Sequence, residues 1–428
     1  MKKIINPIKA EWAMLTKRPT LDTSDLTKLV SDVFSEVEKH GDEAVKSFTK
    51  QFDKVTLSTL FVSTQEFTKA SALVKDSLKA AIGLAKDNIE KFHRAQVHET
   101  SIVETCPGVT CWQEARPIEK IGLYIPGGSA PLFSTVLMLA VPAQIAGCKE
   151  IILCTPPDAK GNIHPAILYT AQLAGITKIV KIGGIQAIAA LALGTQTIPQ
   201  VYKIFGPGNQ YVTAAKQRAQ SLGTAIDIPA GPSELLVVAD ETANPSFVAS
   251  DLLSQAEHGA DSQVICIVNN EALMNSIQVA ITEQLAVLPR YEIASQAIDQ
   301  SKLILFTNQQ DGLDFINYYA PEHLILAVRH LDFYRNGLIN AGSVFIGNYS
   351  PESAGDYASG TNHTLPTTGF AKAYSGVNLD SFIKKISFQE ITPEGIAAIG
   401  PAIEKMALAE GLEAHKNAVT LRLKTLNQ

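Results

Sequence analysis

The chain has 428 residues, a length that suits two or three domains and a core large enough to hold without disulfides. Hydrophobic residues make up 46% and charged residues 18%, which excludes extended disorder. Thirty-six Lys and Arg against 42 Asp and Glu give a net charge of −6, without the basic excess of a nucleic-acid binder. The five cysteines (Cys106, Cys111, Cys148, Cys154 and Cys266) form no Cys-x-x-Cys pair, which argues against a disulfide framework or a thiolate metal cage. The opening MKKIINPIKAEW has lysines but no apolar stretch behind them, and the longest apolar run, 132–147, is broken by Ser134, Thr135, Pro142 and Gln144. Neither a secretory leader nor a membrane span is expected, and the reading is a soluble, cytoplasmic protein.

In chain order, residues 1 to about 100 read as helical with polar faces. Leu21-Asp22-Thr23-Ser24-Asp25 precedes Leu26, Leu29, Val30, Val33 and Val37, the spacing of an amphipathic helix. The stretch 67–92 repeats the pattern, weakened only by Gly83. From about residue 118 short apolar runs alternate with small-residue helices. Strands are expected at 121–126, 150–154, 178–182 and 201–205, and helices at 132–146, 164–174 and from GPGN to 219. A second set follows AGPSE, with strands at 235–239, 263–268, 303–306, 324–328 and 343–346 and a helix at 245–258. This cadence predicts parallel βαβ units in doubly wound sheets. A Gly/Ser/Asn-rich loop from 347 to 369 and a helical tail from Glu394 complete the chain.

The chemistry is spread thinly. The strand ends carry Gly127-Gly128, Gly183-Gly184 and Gly206-Pro207-Gly208-Asn209, but none completes G-x-G-x-x-G; plain turns and a dinucleotide site without the usual fingerprint are both open. Gln255 and His258 are three apart on the expected helix 245–258, with Gly259 as its C-cap; His258 can serve a metal or simply the helix dipole. The loop adds Asp356 and His363, and the tail His415, a nitrogen and oxygen donor set suited to Zn²⁺. Glu410 and His415 would reach one site only if Gly411 breaks the helix between them. If Pro321 opens a helix, Glu322 and His323 lie in its first turn, either as bases tuned by the dipole or as an ordinary solvated helix start. Cys111 and Cys148 have only Arg116 and Lys149 nearby and read as inert buried thiols.

IGLYIPGGSAPLFSTVLMLAVPA, IFGPGN, DIPAGPSE, SDLLSQAEHG, YAPEHL, NYSPESAGDYASGTNHTLPT and EGLEAHKNAV together closely resemble the histidinol dehydrogenase family, from about residue 10 to the C-terminus. The resemblance implies oxidation of L-histidinol through L-histidinal to L-histidine, the last step of histidine biosynthesis, with two NAD⁺ and one Zn²⁺ per subunit. It implies Gln255, His258, Asp356 and His415 as metal ligands. Ser233, His323, His363 and Glu410 would join them around the substrate, Glu322 and His323 would be the catalytic pair, and Tyr124, Gln186 and Asn209 would contact NAD⁺. The implied fold is an α/β pair of incomplete Rossmann-like doubly wound domains in an intertwined homodimer. A helical segment (1–115) would precede an NAD-contacting domain (116–230) and a metal and catalytic domain (231–375). A helical tail (376–428) would complete the partner's site. The alternative is a metal-dependent hydrolase of a small amine or amide, which would use Glu322 and a metal-bound water and ignore NAD⁺.

Overall fold

Apolar runs flanked by small residues settle into parallel sheets because only a strand buried on both faces is continuously apolar. In the computed structural model, which describes residues 1–18, 24–127, 131–228 and 231–426, the strands follow in chain order: β1 (Lys2–Ile5), β2 (Ile102–Cys106), β3 (Val109–Pro117), β4 (Lys120–Tyr124), β5 (Glu150–Cys154), β6 (Lys178–Val180), β7 (Lys203–Phe205), β8 (Ala225–Ile226), β9 (Glu234–Ala239), β10 (Gln263–Val268), β11 (Lys302–Leu305), β12 (His323–Ala327), β13 (Ser343–Ile346) and β14 (Ile383–Ile391). The helix-start signal read at 21–23, and parts of the GGSAP and DIPAGPSE stretches, lie outside the described residues.

These residues form two compact units, Met1–Ala95 with Ile118–Ser381, and Gln96–Pro117 with Phe382–Gln428. The first unit holds two all-parallel sheets. One runs β6-β5-β4-β7-β8; the other runs β1-β11-β10-β9-β12-β13. Numbered within each half, both follow the order 3-2-1-4-5, the doubly wound order without its sixth strand, and the N-terminal β1 extends the second sheet beside β11. The α/β class with two incomplete Rossmann-like halves is therefore as the sequence indicated. In β9, Leu235 and Val237 enter one apolar core while Leu236 and Val238 enter the opposite one, so helices cover both faces. The first sheet is flanked by the helix Phe133–Ala146, buried from Ser134 through Ala143, and by helices including Ser24–His40, whose Leu26, Val30, Val33 and Val37 are all buried as their spacing requires.

The second unit is a three-stranded antiparallel sheet, β14-β3-β2, followed by the helices Pro393–Ala409 and Glu413–Leu426. No described helix is long and apolar enough to cross a membrane.

Four expectations need correction. The helical pattern 67–92 is two helices, Thr64–Leu73 and Asp76–Arg94, because Val74 and Lys75 adopt extended backbone and a Ser63–Glu66 capping box starts the first one early. The loop 347–369 contains a short helix, Glu352–Tyr357. Pro321 does not open a helix: Ala320 ends the helix Gln309–Tyr319 in the left-handed region (φ 54°), and the apolar run from His323 continues as strand β12. The helix at 245–258 stops at Ala256; Gly259 has no left-handed φ and instead accepts from Ser262 N at 3.0 Å in the next turn.

Candidate active site

At the carboxyl ends of the first sheet lies a cavity of about 1120 Å³, lined among others by Tyr124, Gly127, Thr155, Gln186 and Asn209. A crevice at the point where strand order reverses, here between β4 and β7, is where such sheets take ligands. Gly206 permits the close approach there: with φ 130°, a Cβ would sit 2.0 Å from the Tyr124 carbonyl oxygen. The Tyr124 hydroxyl accepts from Gly184 N at 3.1 Å, and burial pushes its pKa up to about 12. Asn209 caps the helix Gln210–Ser221, its Oδ1 accepting from Tyr211 N and Val212 N at 3.1 and 3.2 Å. Gln186 Nε2 donates to Asp53 Oδ2 at 3.2 Å, and burial raises the Asp53 pKa to about 6. Gln186 Oε1 and Thr155 Oγ1 are buried without a partner among the described residues, polar atoms that a ligand in the cavity can satisfy.

The second sheet uses the same strand pair at the opposite edge. Glu234 opens β9 and His323 opens β12, so the titratable groups gather at the amino ends of the strands. Glu322 Oε2 accepts from Glu234 N at 2.8 Å, and His323 Nδ1 lies 3.2 Å from the Glu234 carbonyl oxygen. In the neutral ring Nδ1–H donates to that carbonyl, which leaves the lone pair on Nε2. Nε2 is buried and has no hydrogen-bond partner among the described residues. Carboxylates surround the ring: Glu322 Oε2 at 3.6 Å, Glu352 Oε1 at 3.9 Å and Asp356 Oδ1 at 3.8 Å. Burial pulls the His323 pKa down, but Glu322, Glu352 and Asp356 outweigh it and raise the value to about 10. Burial raises Glu352, opposed by His323 and reinforced by Asp356 and Glu322.

His323, Glu352 and Asp356 bring one ligand atom each within 4.8 Å of one another, a cluster able to hold a cation. Gln255, fully buried on the helix Pro245–Ala256, reaches the same cluster when its amide nitrogen faces Glu352, donating to Oε2 at 3.0 Å and also to Oε1. His363 joins from the other side: Asp356 Oδ1 is 3.8 Å from its Nδ1, and its Nε2 pairs with Thr135 Oγ1 at 3.1 Å. Thr135 belongs to the helix Phe133–Ala146 of the first half, so this contact ties the two halves together. Burial lowers the His363 pKa.

The remaining expected residues are placed as follows. Ser233 immediately precedes β9 and is half-buried, its carbonyl accepting from Gln263 N at 3.1 Å. His258 is exposed two residues beyond its helix and lies outside the three-residue cluster. Glu410 and His415 are exposed in the second unit. Gly411 (φ 72°) does break the helix there; Leu412 N bonds Ala407 O at 2.8 Å and Gly411 N bonds Leu408 O at 3.0 Å, a Schellman-type end. Cys148 is buried and its thiol pushed up to about 12 by that burial, in keeping with an inert thiol. The sequence reading passed over Glu352, Glu234 and Thr135. Glu352 carried a usable signal, since it stands four residues before Asp356, the spacing of one helical face.

Two matched parallel halves, with a dinucleotide-sized cavity on one and an imidazole–carboxylate cluster on the other, define an α/β enzyme of small-molecule chemistry. Residues 16–423 match the family model described as histidinol dehydrogenase, and the chain belongs to that family. It is 61% identical over 426 residues to a histidinol dehydrogenase of Bacteroides thetaiotaomicron and 58% identical over 428 residues to one of Bacteroides fragilis, with 100% of each chain covered. The crystal structure of histidinol dehydrogenase from Elizabethkingia anophelis superposes with a TM-score of 0.99 at 60% identity, covering 100% of this chain and 99% of that one. The chain is thus an NAD-dependent oxidoreductase, and the metal-dependent hydrolase considered from the sequence finds no support.

Proposed function

We propose that this chain oxidises L-histidinol through L-histidinal to L-histidine, with two NAD⁺ reduced per turnover. The observation that carries the reading is the buried, unpartnered Nε2 of His323 amid Glu322, Glu352 and Asp356. A proton-accepting atom and a surplus of carboxylate oxygens suit both an alcohol to be deprotonated and a cation to balance the charge. Gln255, His258 and Asp356 would hold Zn²⁺, with His415 from the tail of a second copy in a homodimer. Zn²⁺, when bound, supplies positive charge that offsets the carboxylates and a Lewis-acidic anchor for the imidazole and amine of the substrate. NAD⁺, when bound against Tyr124, Gln186 and Asn209, accepts the hydride of each oxidation.

The chain's own residues then divide the proton transfers. Ser233 and His363, with Glu410 from the tail of the second copy, orient the substrate so that its hydroxyl faces His323. His323 Nε2 accepts the hydroxyl proton as the alcohol becomes the aldehyde. Glu322 takes a proton from the water that adds to the aldehyde carbon, and the resulting hydrate is oxidised in the second step. Burial of the cluster keeps the aldehyde from escaping between steps. In this reading residues 116–230 serve the cofactor, 231–375 the chemistry, and the 376–428 tail the partner's site, in a cytoplasmic homodimer.

Mixing the purified protein with L-histidinol and NAD⁺ should produce two NADH per histidinol consumed. Absence of NADH under these conditions overturns the assignment. The shared-site arrangement makes a separate expectation: inactive His415→Ala and inactive His258→Ala subunits, mixed and reassembled, should regain partial activity. No recovery in verified heterodimers would assign His415 to its own chain's site.

A further inference from the structure

Glu234 is an acid at the first position of a central strand, with its side chain only 2% exposed. A carboxylate buried this way needs a matched cation and further donors. Arg18, from the segment after the first helix, supplies both: Nε donates to Oε1 at 2.9 Å and Nη2 to Oε2 at 3.0 Å, a bidentate fork. Thr368 N donates to Oε1 at 2.6 Å. The same guanidinium donates from Nη2 to the Tyr319 carbonyl at 2.7 Å and lies 4.0 Å from the centre of the Tyr319 ring. Tyr319 is the last residue of the helix Gln309–Tyr319, three residues before Glu322. Arg18 therefore grips both elements that aim the Glu322–His323 pair.

The main chain of Glu234 is where that grip is used. Its N–H holds Glu322 Oε2 at 2.8 Å and its carbonyl faces His323 Nδ1 at 3.2 Å. The main chain of this one residue thus sets the direction of a carboxylate and the tautomer of an imidazole. We propose that Arg18, acting through the buried carboxylate of Glu234, is a positioning residue for the Glu322–His323 pair. The inference rests on the reading of that pair as the acid–base machinery. Among the described residues neither Arg18 nor the Glu234 side chain hydrogen-bonds the pair; their effect passes through the Glu234 main chain and the turn after Tyr319. A lysine at position 18 keeps the charge but cannot form the fork or bond Tyr319 at the same time.

The test is steady-state NADH formation from L-histidinol by the zinc-loaded protein carrying Arg18→Lys, Arg18→Ala or Glu234→Gln. Misplacement of a catalytic group by about 1 Å costs on the order of 100-fold in rate. Arg18→Lys should lower kcat roughly tenfold and Arg18→Ala roughly 100-fold, with KM for L-histidinol and NAD⁺ within about threefold of the parent. Millimolar guanidinium should restore part of the kcat of Arg18→Ala, where the same concentration of sodium chloride does not. In a Glu322→Gln background, Arg18→Lys should slow the aldehyde step little further, because both changes act on one group. If Arg18→Ala does not fold, Arg18→Lys carries the decision. An Arg18→Lys enzyme with parental kcat, or one that loses only KM, overturns the proposal. Should Glu322→Gln and His323→Asn both keep full activity, the acid–base reading itself falls; should they lose activity while Arg18→Lys does not, only the positioning role falls.

Discussion

Replacing Glu322 by Gln should slow oxidation of L-histidinal by about 100-fold or more, the lower range for a general base, and slow oxidation of L-histidinol much less. The amide still accepts the hydrogen bond from Glu234 N that the carboxylate accepts at 2.8 Å, so the local structure is kept while the basic oxygen is lost. His323→Asn should show the reverse pattern, with the alcohol step losing most, because the unpartnered Nε2 is the atom that would receive the hydroxyl proton. Supplying each substrate separately and following NADH in single turnovers resolves the two steps. Equal losses in both half-reactions for Glu322→Gln would refute this division of labour.

Stripping the protein with a chelator should abolish turnover, by at least about 100-fold, and Zn²⁺ should restore it. On the proposed reading, two effects combine. The substrate loses the anchor for its imidazole and amine, and the carboxylates of Glu322, Glu352 and Asp356 then act on His323 unopposed. Under their influence the ring has a pKa of about 10 and holds its proton at neutral pH, so it cannot take another from the alcohol. Full turnover in a preparation shown to be metal-free would end this account.

Much of the framework was readable from residue patterns because the two parallel sheets are buried on both faces. The runs 151–154 and 264–268 are continuous in apolar residues, and their strands, Glu150–Cys154 and Gln263–Val268, were delimited correctly. β1, β2, β3, β8 and β14 escaped notice for the opposite reason: Lys2–Ile5 and Ile383–Ile391 are largely exposed, so no one-sided apolar alternation marks them. Glu322 and His323 do lie within the buried imidazole–carboxylate cluster, but their setting was misread. Pro321 suggested a helix start, whereas a left-handed Ala320 and the apolar run behind His323 made a strand. The Gly411 break needed no tertiary information, since a glycine at a helix end is a local signal. Glu234 and Thr135 could not be singled out at all, because their importance lies in contacts across 88 and 228 positions of sequence.

Both halves share one strand order, yet the cavity of one lies at its carboxyl edge and the imidazole–carboxylate cluster of the other at its amino edge. On the proposed reading, redox partner and proton handling would reside on separate scaffolds joined by the hydrogen bond between Thr135 and His363. Affinity for the nucleotide could then be retuned around Gln186 without disturbing the groups proposed to shuttle protons, and a lesion at Thr135 is the one expected to make each half feel the other's occupancy less.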